Sequence, residues 1–302
     1  DVDAIIVYDG ISRKGLEYIK KKAPHIKTIM DVSISMRPFM KANFERDMDV
    51  YHHDVFYEEE AYLWINKYEQ VIRNELKYVD FFFVPSKIVC QSLAYCGVEK
   101  GKVRIVPYGV NTSLFDFCKK EYIDQTPLKL IYVGQISYRK GLHHILSIIK
   151  RYNKNIVEIS LAGAFNEHNS IYKQYKESSN IHFLGFVTRD ILAKEYQNAD
   201  VFVFPTLGEG YGMVVLEALS TGTPVLISNL AGGNDAITNY ENGIVYDGLS
   251  EKKLKESLDW FIANKKLLPQ MSMNARNMAL KYTWEQYHKN YAFELLKILK
   301  NE

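Results

Sequence analysis

Val201-Phe202-Val203-Phe204-Pro205-Thr206-Leu207-Gly208-Glu209-Gly210-Tyr211-Gly212-Met213-Val214-Val215-Leu216-Glu217-Ala218-Leu219-Ser220 is the stretch on which the reading of this chain turns. Its apolar run Val201 to Phe204 has the composition of a buried parallel strand, and Met213 to Leu219 that of a buried helix. Gly208, Gly210 and Gly212 fall at the strand-to-helix turn, where lack of a Cβ lets the backbone take positive φ and approach a ligand. The free N–H groups at the start of such a helix face a negatively charged group. Two carboxylates frame the turn. Glu209 lies in the loop, and Glu217 follows among Val215, Leu216, Ala218 and Leu219, where a carboxylate without partners is costly. The plain alternatives are glycines placed for tight packing, a Glu217 on the polar edge of its helix, and a Glu209 favoured by the helix dipole. Pro205 at the strand end and the Gly222, Pro224 pair further on weigh against them.

Working outward, strands alternate with helices on both sides, the order of a doubly wound sheet. Ahead of the motif come strand Leu128–Val133, helix Leu142–Tyr152, strand Val157–Ala162, a helix near Ile171–Glu177, strand Ile181–Leu184 and a helix near Ile191–Gln197. Behind it come strand Val225–Ile227, a short helix after Gly233 and strand Ile244–Tyr246, and this half is expected to hold about seven strands. Helices Glu251–Asn264, Gln270–Lys281 and Trp284–Leu299 finish the chain. The earlier part is thinner, with strand Ala4–Tyr8, helix Ser12–Lys22 and strand Ile26–Met30, then an aperiodic Ser33–Tyr57 read as a long loop. An amphipathic helix Glu58–Lys77, strand Phe81–Val84, helix Lys87–Tyr95 capped by Ser86, and strand Val103–Val106 complete it. The polar segment Cys118–Pro127 reads as a linker. The expected organisation is an N-terminal domain over residues 1–120, a second domain over 121–283, and a last helix over 284–302 that crosses back to the first.

A length of 302 residues suits two domains, and 47% hydrophobic with 25% charged residues describes a soluble globular chain. A net charge of +2 gives no reason to expect nucleic acid, and the basic run Lys20–Lys22, with Lys14 and Lys27 near it, has no aromatic interleaving. That run reads as a solvated helix face, with attraction to anionic lipid headgroups as its functional alternative. Cys90, Cys96 and Cys118 form no disulfide framework and lack metal-site spacing, which points to a reducing compartment. No apolar run approaches 18 residues and no signal peptide is evident, so an integral membrane protein is not expected.

After Leu128–Val133 the chain reads Gly134, Gln135, Ile136, Ser137, Tyr138, Arg139, Lys140, Gly141. Two adjacent cations at a helix N-terminus oppose its dipole, each by roughly 0.3 to 1 kcal/mol, and a bound anion removes the conflict. Arg139 would meet a diphosphate in a bidentate mode and Lys140 as a point charge. A solvated surface pair is the alternative, but both this segment and the Glu209 loop follow strand ends, where open α/β sheets bind ligands.

The Glu209 to Glu217 spacing, with its glycines, resembles the Glu-x7-Glu motif of retaining glycosyltransferases of family 4. That family has the GT-B architecture, in which two Rossmann-like domains face a cleft. The resemblance covers the second half well and the first half poorly. It implies that Arg139 and Lys140 hold the donor diphosphate, that Glu217 bonds the ribose hydroxyls, and that Glu209 contacts the transferred sugar. The backbone of Gly210, Tyr211, Gly212, Met213 and Val214 would meet sugar and phosphate oxygens, with Gly134 in the phosphate loop. Gly185, Phe186 and Val187 match the place of base contact, and Asn111, after Pro107 to Val110, matches an interdomain turn bordering the cleft. Asp235 stands where the family loop ends in Glu, with a helix cap as its equal alternative. The strand into Asp31 lacks the histidine that family members place there.

The resemblance also implies no cofactor and no essential metal. The Asp47, Asp49 pair reads as a solvated charge run, and His52, His53 and Asp54 as a surface cluster. Neither a hydrophobic strand nor a glycine-rich loop precedes Ala4, so the first domain is expected to be incomplete, its missing segment absent or supplied by a partner chain. The implied activity is retaining transfer from a nucleotide-diphosphate sugar, UDP-sugar favoured, to a carbohydrate, lipid-linked or protein hydroxyl. Its implied place is the cytoplasm, at the inner face of the membrane where peripheral contact is made. The rival is a non-catalytic or partner-requiring subunit of the same architecture. A phosphorylase using pyridoxal phosphate lacks the lysine context and length it would need.

Overall fold

Parallel strands made of short β-branched and aromatic runs form both halves of the computed structural model, which describes residues 2–10, 12–51, 66–120 and 126–300. The chain divides into two compact units, Asp1–Tyr108 with Glu209–Tyr211 and Trp284–Glu302, and Gly109–Gly208 with Gly212–Thr283.

The first unit carries a four-stranded parallel sheet in the order β1 (Ala4–Tyr8), β2 (Lys27–Asp31), β3 (Phe81–Val84), β4 (Val103–Ile105). Side chains alternate across a strand, so neighbours in β2 and β3 serve opposite faces. Met30 and Phe82 join a core with Leu16 of α1 (Arg13–Lys22), Ile72 of α3 (Asn66–Leu76) and Val89 and Leu93 of α4 (Lys87–Tyr95). Ile29 and Phe83, one residue along, pack against Ile298 and Tyr291 of α11 (Trp284–Lys300) on the other face. Ser86 caps α4 as expected, its Oγ accepting from the Val89 N–H at 3.4 Å.

One segment read as a loop is a helix. Arg37–Tyr51 forms α2, and its buried residues Met40, Asn43, Phe44 and Asp47 recur at helical spacing. Two polar residues stand in that stripe, which hid the period from a hydrophobicity reading. Asp47 is 1% exposed, so it does not belong to a solvated charge run, and the exposed Asp49 lies elsewhere on the helix. His52, His53 and Asp54 and residues 58–65 of the expected Glu58–Lys77 helix lie outside the described residues.

Among the described residues the second unit holds six parallel strands, not about seven, in the order β10-β9-β8-β5-β6-β7. These are β5 (Leu128–Val133), β6 (Val157–Ala162), β7 (Ile181–Gly185), β8 (Val201–Phe204), β9 (Val225–Ser228) and β10 (Gly243–Tyr246). The intervening helices are α5 (Leu142–Ile149), α6 (Ser170–Tyr175), α7 (Arg189–Asn198), α8 (Met213–Ser220), α9 (Glu251–Ala263) and α10 (Leu268–Ala279). Every residue of β8 and β9 is buried, as continuous apolar runs at a sheet centre should be. Residues 109–120, placed with the N-terminal domain in the sequence reading, are held in this unit. Arg276 Nη1 donates to the carbonyls of Thr112, Phe115 and Ser220, and the Cys118 N–H donates to Thr221 O. Lys120, at the polar linker, is buried, and its Nζ donates at 2.7 Å to the carbonyls of Tyr196 and Gln197 at the end of α7.

Candidate active site

Strand order reverses between β5 and β8: β6 and β7 succeed β5 on one side, while β8, β9 and β10 extend the sheet on the other. Such a switch point opens a crevice beyond the strand ends, because the loops leaving the two strands diverge to opposite faces. Both sequence-predicted segments of this unit leave from these two strands, Gly134–Lys140 from β5 and Pro205–Gly208 from β8.

The two loops are stitched together. The Leu207 N–H donates to Arg139 O at 3.0 Å, Thr206 Oγ1 donates to the same carbonyl at 3.3 Å, and Arg139 Nη1 donates to Gly208 O at 3.4 Å. Gly141 makes the approach possible, since it sits at φ +67° and a Cβ there would lie 1.9 Å from Pro205 O. Tyr138–Lys140 is a single 3₁₀ turn ahead of α5, so Lys140 precedes the helix start by the intervening glycine. Lys140 is 9% exposed and its Nζ stands 5.6 Å from the centroid of the Phe204 ring, a position that keeps the ammonium at the strand end. Gly134 has φ +147°, and its carbonyl lies where a Cβ on Gly163 would fall, at 1.7 Å.

Gly212 opens α8 in the left-handed conformation, φ +79°, and as a glycine it brings no side chain of its own to cap the N–H groups that follow. Met213 and Val214, its first two residues, are half-buried. Glu217 is also half-buried, and burial pushes its carboxyl up from the usual range, against the opposing pull of a hydrogen bond from Tyr196 and the charge of Arg189. Tyr196 is completely buried, and its Oη lies 3.3 Å from both Glu217 Oε2 and Val214 O. The carboxylate on an apolar helix thus accepts from Tyr196 and, among the described residues, retains further acceptor capacity.

Glu209, Gly210 and Tyr211 belong to the first unit, although the sequence reading set them in the second domain. The cause is local: Ser86 Oγ donates to Gly210 O at 2.6 Å, and a Cβ on Gly210 would sit 1.9 Å from Ser33 O. Ser35 Oγ donates to Glu209 O at 3.5 Å, and the Gly210 N–H donates to Glu209 Oε1 at 3.3 Å. Tyr211 is buried edge-on against Tyr108, centroids 5.7 Å apart.

The remaining candidates stand at other strand ends and turns, Gly185 being tied to the β5 loop through the Gly163 N–H, which donates to Gly185 O at 2.9 Å. Gly185, at φ +70°, ends β7, and Phe186 beyond it is 84% exposed, so it is no core residue; Val187 is half-buried. Asn111 Oδ1 accepts from the N–H groups of Ser113 and Leu114 at 3.1 Å, a local turn-closing role. Asp235 lies inside the 3₁₀ turn Gly232–Ala236 and does not cap it. Asp31 closes β2, where burial raises its carboxyl against a hydrogen bond from Tyr291.

Sequence reasoning missed Tyr196, Thr206 and Ser137. Tyr196 lies in the helix expected near Ile191–Gln197, and its reach to Glu217 gives it a polar task that the sequence does not display. Ser137 is 2% exposed in the β5 loop and its Oγ has no partner among the described residues, an orphan hydroxyl beside Arg139 and Lys140. Among the described residues, no helix is long and apolar enough to cross a membrane.

The model of the family "Glycosyl transferases group 1" matches residues 116–278. An uncharacterised glycosyltransferase of Methanocaldococcus jannaschii is 27% identical over 215 residues, 66% of this chain and 54% of the relative. The N,N'-diacetylbacillosaminyl-diphospho-undecaprenol alpha-1,3-N-acetylgalactosaminyltransferase of Campylobacter jejuni is 24% identical over 238 residues, 74% of this chain and 62% of the relative. The chain thus spans a little over half the length of these curated relatives. Among solved structures, Anabaena HepE in complex with UDP aligns over 97% of this chain and 78% of its own, with a TM-score of 0.71 and 15% identity. The α/β architecture is therefore that of GT-B glycosyltransferases.

Proposed function

The chain belongs to the group 1 glycosyl transferases, and from that premise we propose that it is a retaining glycosyltransferase. The donor is a nucleotide-diphosphate sugar, UDP-sugar in preference, and the acceptor a hydroxyl of a glycan, lipid-linked or protein substrate. The observation that carries the reading is the tie between the Arg139 turn and the Pro205–Gly208 loop at the β5/β8 reversal, beside the orphan hydroxyl of Ser137. UDP in the Anabaena structure supports the choice of nucleotide, and the undecaprenol-linked substrate named for the Campylobacter relative supports a lipid-linked acceptor.

In this reading the Arg139 guanidinium, Lys140 and the N–H groups at the start of α8 take the charge that gathers on the departing diphosphate. No metal is called for, because these groups supply the positive potential. Glu217 accepts from the ribose hydroxyls, with Tyr196 fixing one of its oxygens. Gly134 lets backbone approach the phosphates, Phe186 with Gly185 and Val187 offers an exposed face to the base, and Asn111 borders the site. Glu209, with the backbone of Gly210 and Tyr211, positions the transferred sugar. The acceptor hydroxyl attacks on the face the diphosphate leaves, so no protein nucleophile is needed on the other. Three free cysteines and the absence of a spanning helix among the described residues fit a cytoplasmic enzyme acting at the inner membrane face.

A thermal-shift screen in chelator with UDP-glucose, UDP-N-acetylglucosamine, GDP-mannose and ADP-glucose tests the donor site. One nucleotide sugar should raise Tm by mass action, and NMR of the product should show the donor's anomeric configuration. An inverted product refutes the mechanism; donor binding without transfer or hydrolysis supports the non-catalytic alternative.

A further inference from the structure

A cavity of about 430 Å³ lies in the second unit along β10, the edge strand of its sheet, and α9. Its lining includes Tyr240, Trp260, Asn239, Asp247, Glu256 and Ser257, none of which leaves from the β5 or β8 strand ends. The rings of Tyr240 and Trp260 stand 5.0 Å apart at 58°, and Trp260 is braced by Phe261 at 5.4 Å.

Tyr240 is the unusual member. It is 58% exposed and holds φ +66°, the one positive φ at a non-glycine among the described residues. An aromatic side chain is strained there, and glycine would not be. The turn nevertheless fixes it: the Tyr240 N–H donates to Gly243 O, the Val245 N–H to Asn239 Oδ1 and the Thr238 N–H to Asn242 Oδ1, each at 2.7 Å. The strained turn thus presents a largely exposed ring beside Trp260 at the mouth of the cavity.

We propose that this cavity is a second carbohydrate site that takes a pyranose residue of a neutral glycan. The apolar C–H face of a sugar ring covers Tyr240 and Trp260, while the carboxylates of Asp247 and Glu256 accept from its hydroxyls. Phosphate is disfavoured, because the lining cation Lys253 is paired with Glu256 at 2.8 Å and Asp247 adds a second negative charge. The site stands on its own geometry and does not depend on the donor assignment.

The test is affinity electrophoresis of the whole chain, without nucleotide, through gels containing dextran, glycogen or mannan. At least one polysaccharide should cut the mobility twofold or more. Tyr240→Gly, which relieves the backbone strain but removes the ring, should abolish the retardation while the chain remains folded, and should leave any UDP-dependent thermal shift unchanged. An Asp247→Asn, Glu256→Gln double variant, which keeps the cavity's shape, should lose at least half of the retardation. Normal mobility in all three gels, or retardation of Tyr240→Gly equal to that of the native chain, overturns the proposal.

Discussion

The Oη of the fully buried Tyr196 lies 3.3 Å from Oε2 of Glu217, linking α7 to the one carboxylate of the apolar helix α8. That link fixes an acid which would otherwise choose among several rotamers. Tyr196→Phe keeps the ring and removes the bond, so the donor KM should rise about three- to tenfold with kcat little changed, and stability should fall by roughly 1–3 kcal/mol. Steady-state kinetics and denaturant melts separate the two effects. An unchanged KM with only lost stability would make Tyr196 a packing residue.

Burial holds the Glu217 carboxyl above the ordinary glutamate range. A raised value means that protons stay on to higher pH, so the charged form that accepts from donor hydroxyls is lost on acidification sooner than for an exposed glutamate. Donor affinity should therefore fall as pH drops through that raised value, and Glu217→Gln should remove the dependence. Isothermal titration across the acidic range checks both.

Gly141 has no room for a side chain, with Pro205 O at 1.9 Å from a Cβ and φ at +67°. Gly141→Ala should cost on the order of 3–5 kcal/mol and part the Arg139 turn from the Pro205–Gly208 loop. Chemical denaturation reads the stability, and loss of UDP binding in whatever fraction folds reads the displacement.

Lys120 is buried with its Nζ on two carbonyls, and burial lowers its pKa to about 8 from 10.5. Between those values the unfolded chain binds a proton that the folded chain has released, so stability rises with pH through this window. The rise from about pH 8 to about pH 9.5 should be on the order of 1–2 kcal/mol, and Lys120→Met should flatten it.

Much of this was legible in advance, because parallel strands at a sheet centre are continuous apolar runs. Val201–Phe204, Phe81–Val84, Leu128–Val133 and Val157–Ala162 agree with the structure at both ends. Polar burial was not legible. Asn43 and Asp47 on the buried stripe of α2, and Lys120 at the expected linker, follow from partners distant in sequence or from packing that composition does not encode. The motif was visible through its glycines, yet its division at Glu209–Tyr211 depends on Ser33 and Ser86, more than 120 residues away in the case of Gly210 and Ser86, where |i−j| is 124. Tyr196 shows the same limit, since a tyrosine in a helix announces a core position and not the carboxylate it reaches.

A diphosphate site built on Arg139 and Lys140 should hold both phosphates of a nucleoside diphosphate. Calorimetric titration of UDP and UMP into the native chain and Arg139→Ala, with EDTA present, tests it most directly. UDP should bind the native chain at least tenfold more tightly than UMP, and Arg139→Ala should remove this advantage while the chain remains folded. Equal affinity of the native chain for UDP and UMP, or an undiminished preference in Arg139→Ala, would contradict it.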